Sequence, residues 1–572
     1  MHRFLFFSFC FQASAFVFYP VGNNPLRWNV ANGLAHTNVV NPQTSAIRYY
    51  IASDGFSAAN REAELAAVRA SFDQWQSVPG STLKFEFAGF ISPAGLDVKE
   101  DNTNVVFWAK QSTIVAGGLM NISGLRGWTS VSFAPDGTIV EADIVLNGRE
   151  FGWFTDFNNS SNQAQFVESV VVHEIGHFLG LDHASTGGAS LAIGGYGVSP
   201  EAGLSPDEIA AIRFLYPTNA AASARIRGTV RLGGIGRLGA VVIAEDVSGN
   251  LACATVTRAD GTYDLAGLAP GSYGVRVTPL DPGNSGIEKL LRGADIAPEY
   301  TDAFTSFSAT TNLPVTITAG QVRVQDFTVV SGSTMRITSI SKPSQIESLI
   351  SVHRFAISLA PGSQQFVAVS GAILKNGSVL SITGAGDGVT MGATTFHENA
   401  IAGNIHSLTA LVTVSSNATP GLRSFVIRHG GDLAYANGYV EIAAPIIDYN
   451  FDGLEDRFQR MYWSPWTTAL AKPAADPDGD LFSNAFEFRM NTNPTNAASY
   501  LLPITKVERT TNSTEITVEA DVGKRYQLYV RSAFGSGDWT ASGRPSTAST
   551  NPLTFTELTS ADSKFYRVGL VP

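Results

Sequence analysis

The tightest constraint in this chain is the run His173-Glu174-Ile175-Gly176-His177-Phe178-Leu179-Gly180-Leu181-Asp182-His183. Phe166, Val167, Val170 and Val171 precede it with helical apolar spacing, which predicts a helix carrying His173 and His177 at i and i+4 on one face. That spacing aims two imidazoles at one metal ion, the arrangement Zn²⁺ accepts. Glu174 stands beside them but off the ligand row, where it can accept a proton from an attacking water. Gly180 is suited to the left-handed conformation that ends a helix and turns the chain back, delivering His183 as a third ligand. Three protein ligands leave one coordination position open, the catalytic rather than the structural arrangement. The other histidines, His2, His36, His353, His397, His406 and His429, show no such grouping.

A chain of 572 residues holds roughly four domains at about 150 residues each. Charged residues are only 15% and glycines number 55, a texture of extracellular β-domains rather than of a helical cytosolic enzyme. With 38 Lys+Arg against 49 Asp+Glu the net charge is −11, which argues against nucleic acid or an anionic membrane surface as the main partner. Residues 16–219 carry 10 basic and 19 acidic side chains, so −9 of that charge is concentrated there. The opening residues combine a short basic start (His2, Arg3), the apolar run Phe4 to Phe11 and the small residues Ala13-Ser14-Ala15, the pattern of a secretory signal over 1–15. The expected location is therefore secreted, extracellular or at the cell surface. Cleavage there removes Cys10 and leaves Cys253 with no partner, which excludes an intramolecular disulfide. No later stretch is long and apolar enough for a membrane span.

Residues 222–331 alternate in period two between turn signals at Gly249-Asn250, Asp260-Gly261 and Pro270-Gly271, which predicts a β-sandwich; residues 332–445 repeat that texture, and 500–572 alternate again. The short 446–496 segment is rich in aspartate. Asp448, Asn450, Asp452 and Asp456 take positions 1, 3, 5 and 9 of one loop, and Asp476, Asp478, Asp480, Asn484 and Glu487 take 1, 3, 5, 9 and 12 of a second. These spacings gather hard oxygen ligands around one Ca²⁺ each. Each loop has a defect: Gln459 at position 12 of the first, and Leu481 at position 6 of the second, where glycine is usual.

The 173–183 run resembles the zinc-binding pattern of the metzincin metalloendopeptidases, and Leu179-Gly180-Leu181-Asp182-His183 is most similar to the matrixin branch. Ile47-Arg48-Tyr49-Tyr50-Ile51 resembles the first matrixin strand, and the stretch with Leu65, Val68, Phe72 and Trp75 the first helix. Ser130 to Gly137 resembles the rim strand along which substrate lies antiparallel, and Ala142 to Glu150 the next strand with its calcium loop. Leu204-Ser205-Pro206-Asp207-Glu208-Ile209 resembles the start of the last helix, and by itself forms a capping box with Ser205 as N-cap and Glu208 at N3.

The resemblance implies a zinc-dependent endopeptidase domain over 16–219, with His173, His177 and His183 on zinc and Glu174 as general base. It implies calcium at Asn147 and Glu150, with Asp143 at a second site. Leu191 stands where the family has the methionine beneath the zinc, Val131 and Val145 stand where it has structural-zinc histidines, and Tyr196 falls in the loop bordering the specificity pocket. No cysteine is placed to cap the zinc after the signal.

Residues 222–331 resemble a carboxypeptidase-regulatory-like sandwich, 332–445 an immunoglobulin-like one, and 446–496 thrombospondin type 3 or dockerin-like calcium repeats. The expected fold is thus multidomain: an α+β metzincin catalytic domain, then all-β sandwich domains and a short calcium-binding segment. The expected partner is a protein or peptide substrate, with an extracellular-matrix or cell-surface ligand open to the β-domains. The alternative reading is a surface adhesion or matrix-binding protein whose metzincin-like domain is inactive.

Overall fold

The computed structural model describes residues 20–21, 24–30, 38–159, 161, 163–188, 202–219, 223–280, 307–332, 335–343, 356–371, 373–384, 386–401, 405–497, 499, 504–531, 539–558 and 564–571. The expected signal at 1–15, Leu191 and Tyr196 lie outside them. The chain is multidomain and strand-rich, and divides into two compact units, residues 1–451 and 452–572. Among the described residues no helix is long and apolar enough to cross a membrane.

The first unit begins with a mixed sheet. Strand Ile47–Ala52 lies parallel to Phe85–Ile91 on one side and to Val105–Trp108 on the other. Thr138–Leu146 continues the parallel set beside Val105–Trp108. Gly127–Phe133 then runs antiparallel along Thr138–Leu146, and no other described strand pairs with its outer side. Helix Arg61–Gln76 places Leu65, Val68, Phe72 and Trp75 on one buried stripe, as their 3–4-residue spacing requires. Phe72 stacks on Tyr49 of the sheet at 3.8 Å between ring centroids and meets Phe178 edge-on at 5.8 Å. Trp75 donates its indole N–H to the Val172 carbonyl at 3.0 Å, tying this helix to helix Val167–Phe178. Val131 and Val145 are buried among apolar side chains.

Helix Pro206–Leu215 starts on the expected capping box: the Ser205 hydroxyl accepts from the Glu208 amide, and the Glu208 carboxylate accepts from the Ser205 amide. It lies against strands Leu251–Val256 and Thr262–Leu268 of the first sandwich, and one apolar core runs from the mixed sheet into that sandwich. Gly267, at φ 68°, permits this approach, because a Cβ there would lie 1.9 Å from the Ala210 carbonyl oxygen.

The first sandwich pairs two sheets. One is built on Ala224–Leu232; the other runs Leu251–Val256, Ala240–Glu245, Gly271–Pro279, Leu313–Ile317. The second sandwich sets Ser339–Ser341, Gln364–Gly371, Ile405–Val414, Val389–Met391 and Thr395–Ile401 against Ile357–Leu359, Asp432–Ile442, Gly421–His429 and Val379–Ile382. The two sandwiches share a buried polar seam. Arg276 reaches Glu245 at 2.6 Å, and donates to the Ser424 hydroxyl at 3.0 Å and the Asn437 side-chain oxygen at 2.9 Å.

In the second unit, helices Asp456–Tyr462 and Asn484–Met490 precede two three-stranded sheets, Ile504–Arg509, Ser513–Val518, Leu553–Leu558 and Thr540–Thr547, Arg525–Arg531, Phe565–Val571. Phe482 and Phe486, stacked at 4.6 Å, enter the same core as Ile516, Val518, Tyr526 and Leu528, so the second aspartate-rich loop is rooted in the last sandwich.

One buried acid gives the join at helix Pro206–Leu215 a pH signature. Asp207 accepts the Ala254 amide at 2.7 Å, and burial pushes its carboxyl up to about 8. The folded state therefore favours the protonated acid. Its contribution to stability is complete below the ordinary carboxylate range and is lost as pH rises through about 8. Asp207→Asn keeps an acceptor for the amide and removes the titration, so its melting temperature relative to wild type should climb between about pH 4 and pH 8. Calorimetry of both proteins across that range measures it; a constant difference would contradict the argument.

Candidate metal centre

Helix Val167–Phe178 is apolar around most of its circumference and is held on the sheet side by Phe166, Val170, Val171 and Ile175. His173 and His177 project from the remaining face one turn apart, with ring centroids 4.8 Å apart. The helix ends in a Schellman turn. Leu181 donates its amide to Gly176 at 3.0 Å, Gly180 donates to His177 at 2.9 Å, and Gly180 takes φ 91°. No other residue fits: a Cβ on Gly180 would lie 2.4 Å from the Leu26 carbonyl oxygen, where the N-terminal strand crosses. Trp28 fixes that crossing by donating its indole N–H to Phe178 at 2.9 Å.

The turn brings His183 back, with its ring centroid 4.8 Å from His177 and 5.2 Å from His173. A ligand nitrogen from each of the three rings lies within 4.8 Å of the others. The Leu181 carbonyl sits 2.8 Å from His177 Nδ1 and can only accept, so the proton is on Nδ1 and Nε2 is the nitrogen suited to a metal. Enclosure pushes His177 down to about 4, which leaves it neutral, as a metal ligand must be. Asp182 accepts the His183 amide at 2.7 Å and lies 3.7 Å from its Nδ1. Three imidazoles are a donor set that suits Zn²⁺.

Glu174 is buried, and burial pushes its carboxyl up to about 8. Two residues of the neighbouring edge strand hold it. Thr129 Oγ1 lies 2.6 Å from Glu174 Oε2, and Gly127 leaves the space the side chain fills, since a Cβ there would lie 2.6 Å from Oε1. Neither residue was legible as part of the site. They stand over 40 positions upstream, with no spacing relation to the histidines, and only the packing of strand against helix brings them there.

The remaining candidate ligands divide. Asn147 donates to the Ile122 and Leu125 carbonyls at 3.1 and 2.9 Å and to Glu150 at 3.0 Å, while its oxygen accepts the amides of Arg149 and Glu150. Glu150 also accepts from Ser123 and Gly124 at 2.8 and 2.7 Å. These two side chains therefore hold the 122–125 loop directly. Asp143 is buried, accepts the Val105 and Lys99 amides at 2.9 and 3.2 Å, and is pushed far above the carboxylate range by burial. Beside it Glu141 accepts the amides of Asp101 and Asn102, a role the sequence did not signal.

In the second unit, one oxygen each of Asp478, Asp480, Asn484 and Glu487 is buried without a hydrogen-bond partner. Asp476 accepts the amides of Gly479 and Leu481, both at 2.9 Å. Leu481 takes φ 76°, the left-handed conformation its position demands despite its side chain. For the first loop, the division between units falls between Phe451 and Asp452, so Asp448 and Asn450 belong to the first unit and Asp452 and Asp456 to the second. Asn450 and Asp456 are buried, and Asp452 accepts the amide of Leu454 and the side chain of Gln459 at 3.0 and 2.9 Å.

Comparison with known proteins finds a family likeness over the region that carries this geometry. The matrixin family matches residues 41–217. Metalloendoproteinase 4-MMP of Arabidopsis thaliana is 33% identical over 97 residues, 17% of this chain and 27% of that protein, so the chain spans about a quarter of that relative's length. Among solved structures, the major pilin subunit BcpA of Bacillus cereus covers 61% of this chain and 85% of its own at 10% identity and a TM-score of 0.15. Fervidolysin of Fervidobacterium pennivorans, a keratinolytic enzyme related to subtilisin, covers 43% and 34% at 13% identity and a TM-score of 0.13. At such TM-scores the likeness carries no structural argument. The region that matches the matrixin family is the one that holds the three histidines and Glu174, so over residues 41–217 the chain is similar to a matrixin-type metalloprotease domain.

Proposed function

We propose that the protein is a secreted zinc-dependent metalloendopeptidase, with Glu174 as general base. The observation that carries this reading is the convergence of three imidazoles next to a buried carboxyl that an edge strand holds in place. Zinc, when bound by His173, His177 and His183, supplies a Lewis acid that polarises the scissile carbonyl and acidifies water. Every other part is protein. The Leu181 carbonyl keeps the His177 proton on Nδ1. Strand Gly127–Phe133, unpaired on its outer side among the described strands, offers backbone groups to an extended peptide. Glu174, as the carboxylate that a cation on the three histidines would favour, accepts the proton of the attacking water and returns it to the leaving amine, while Thr129 fixes the orientation of its carboxyl.

The accompanying sandwiches support a role outside the cell, where a matrix or surface ligand is within their reach. Calcium belongs to the same reading. The four unpartnered oxygens at positions 3, 5, 9 and 12 of the 476–487 loop are hard donors of the kind Ca²⁺ takes, and a bound ion would relieve their mutual repulsion.

Glu174→Ala should retain one zinc per chain and lose peptide hydrolysis by about 10³-fold. Metal analysis together with casein turnover measures both, and undiminished cleavage would sink the assignment. A zinc-free purified chain without turnover would instead favour the adhesion protein. In the second unit, Leu481→Gly removes a left-handed non-glycine residue costing about 1 kcal/mol, so it should raise both the melting temperature and the calcium affinity. Calorimetry with calcium and with EGTA reads the two effects.

A further inference from the structure

We propose that the second sandwich is a working part of the zinc site: strand Asp432–Ile442 clamps the segment that follows His183 and so positions the third ligand. This rests on the zinc reading above and goes beyond it, because it assigns a function in metal binding to residues more than 250 positions downstream.

The three ligands are not equally secured. His173 and His177 sit on a helix whose own hydrogen bonds fix their spacing. His183 lies past the Schellman turn on irregular chain, so only contacts from elsewhere can hold it. Those contacts are present. Ala184, Ser185 and Thr186 are buried in succession. Gly187 donates its amide to the Asn437 carbonyl at 2.9 Å. It lies flat on the Tyr439 ring, since a Cβ would fall 2.4–2.5 Å from three ring atoms that include opposite sides of the ring. Gly188 packs as closely on Leu422, where a Cβ would lie 2.4 Å from a methyl carbon. On the facing strand, Gly438 takes φ 72° and comes within van der Waals reach of Thr186. The two glycines let the segment lie directly against Tyr439 and Leu422, an approach that a side chain at either position would block.

The clamp is itself immobilised. The Asn437 side chain donates to Thr278 at 3.1 Å and accepts from Arg276 at 2.9 Å, and the Gly438 amide donates to Ser424 at 3.2 Å. Arg276 and Glu245, the ion pair of the seam, are each at most 1% exposed. Both sandwiches therefore bear on the strand that grips 185–188. Asn437 and Tyr439 are positioning residues: they touch neither metal nor substrate, and they act through the segment that carries His183.

Two variants break the contact from opposite sides. Tyr439→Ala removes the ring, and Gly187→Ala pushes a methyl into it while leaving every residue of the sandwich core in place. Zinc affinity is measured on the full chain by competition with a chelator, and exchange of the Gly187 amide is measured on metal-free protein. Both variants should speed that exchange and weaken zinc binding by about 10–100-fold, the range for residues that orient a ligand. Tyr439→Phe should restore both. Val367→Ala, in the core of the sandwich's other sheet, should lower the melting temperature without changing zinc affinity. Faster exchange with unchanged affinity would overturn the positioning role while leaving the protease reading intact. Equal loss in Val367→Ala would overturn it too, because affinity would then follow global stability. A wild-type chain that binds no zinc would overturn both.

Discussion

The turn at Gly180 is the constraint on which the site depends. A helix can present two histidines one turn apart, but it cannot present a third at a position facing both. The chain must leave the helix and reverse within a few residues. The Schellman hydrogen bonds from Leu181 to Gly176 and from Gly180 to His177 accomplish this, and they require a left-handed residue. The Leu26 carbonyl beneath Gly180 leaves no room for a side chain, and Trp28 anchors that strand to the helix end. The same turn presents the Leu181 carbonyl to His177, so one local structure sets the position of His183 and the tautomer of His177.

The domains downstream of the turn are joined by more than linkers. Helix Pro206–Leu215 belongs to the metalloprotease-like domain at its capping box and to the first sandwich along its apolar face, so the two share a core. The seam between the sandwiches is polar, and the Arg276–Glu245 pair at its centre is buried. Removing Arg276 and Glu245 from water costs more than a single ion pair returns, and the additional bonds to Asn312, Ser424 and Asn437 offset that cost. Such a seam is directional where an apolar one is not, and it fixes the angle at which strand Asp432–Ile442 faces the segment 185–188.

Much of the local structure was legible because its causes are local. The i, i+4 histidines, the glycine that ends their helix, the capping box of Ser205 and Glu208, and the stripe of Leu65, Val68, Phe72 and Trp75 each rest on interactions within a few residues. Leu481 is instructive from the other side. The spacing of the aspartates marks its position as one that needs glycine, and the backbone adopts that conformation with leucine in place. The calcium reading of Asn147 and Glu150 came only from a resemblance, and in the structure those side chains meet the loop at 122–125.

By itself the sequence determined the donor set of the candidate metal centre: which three histidines could hold a metal, which carboxyl stands beside them, and where the helix must stop. These follow from helical geometry and from the one residue type that tolerates a left-handed turn. Only the tertiary structure decided what holds that chemistry in place. Thr129 and Gly127 reach Glu174 from an edge strand, and Asn437 and Tyr439 reach the segment after His183 from another domain. Contacts of that separation leave no periodicity to read, because they are set by how finished elements pack and not by the spacing of residues along the chain.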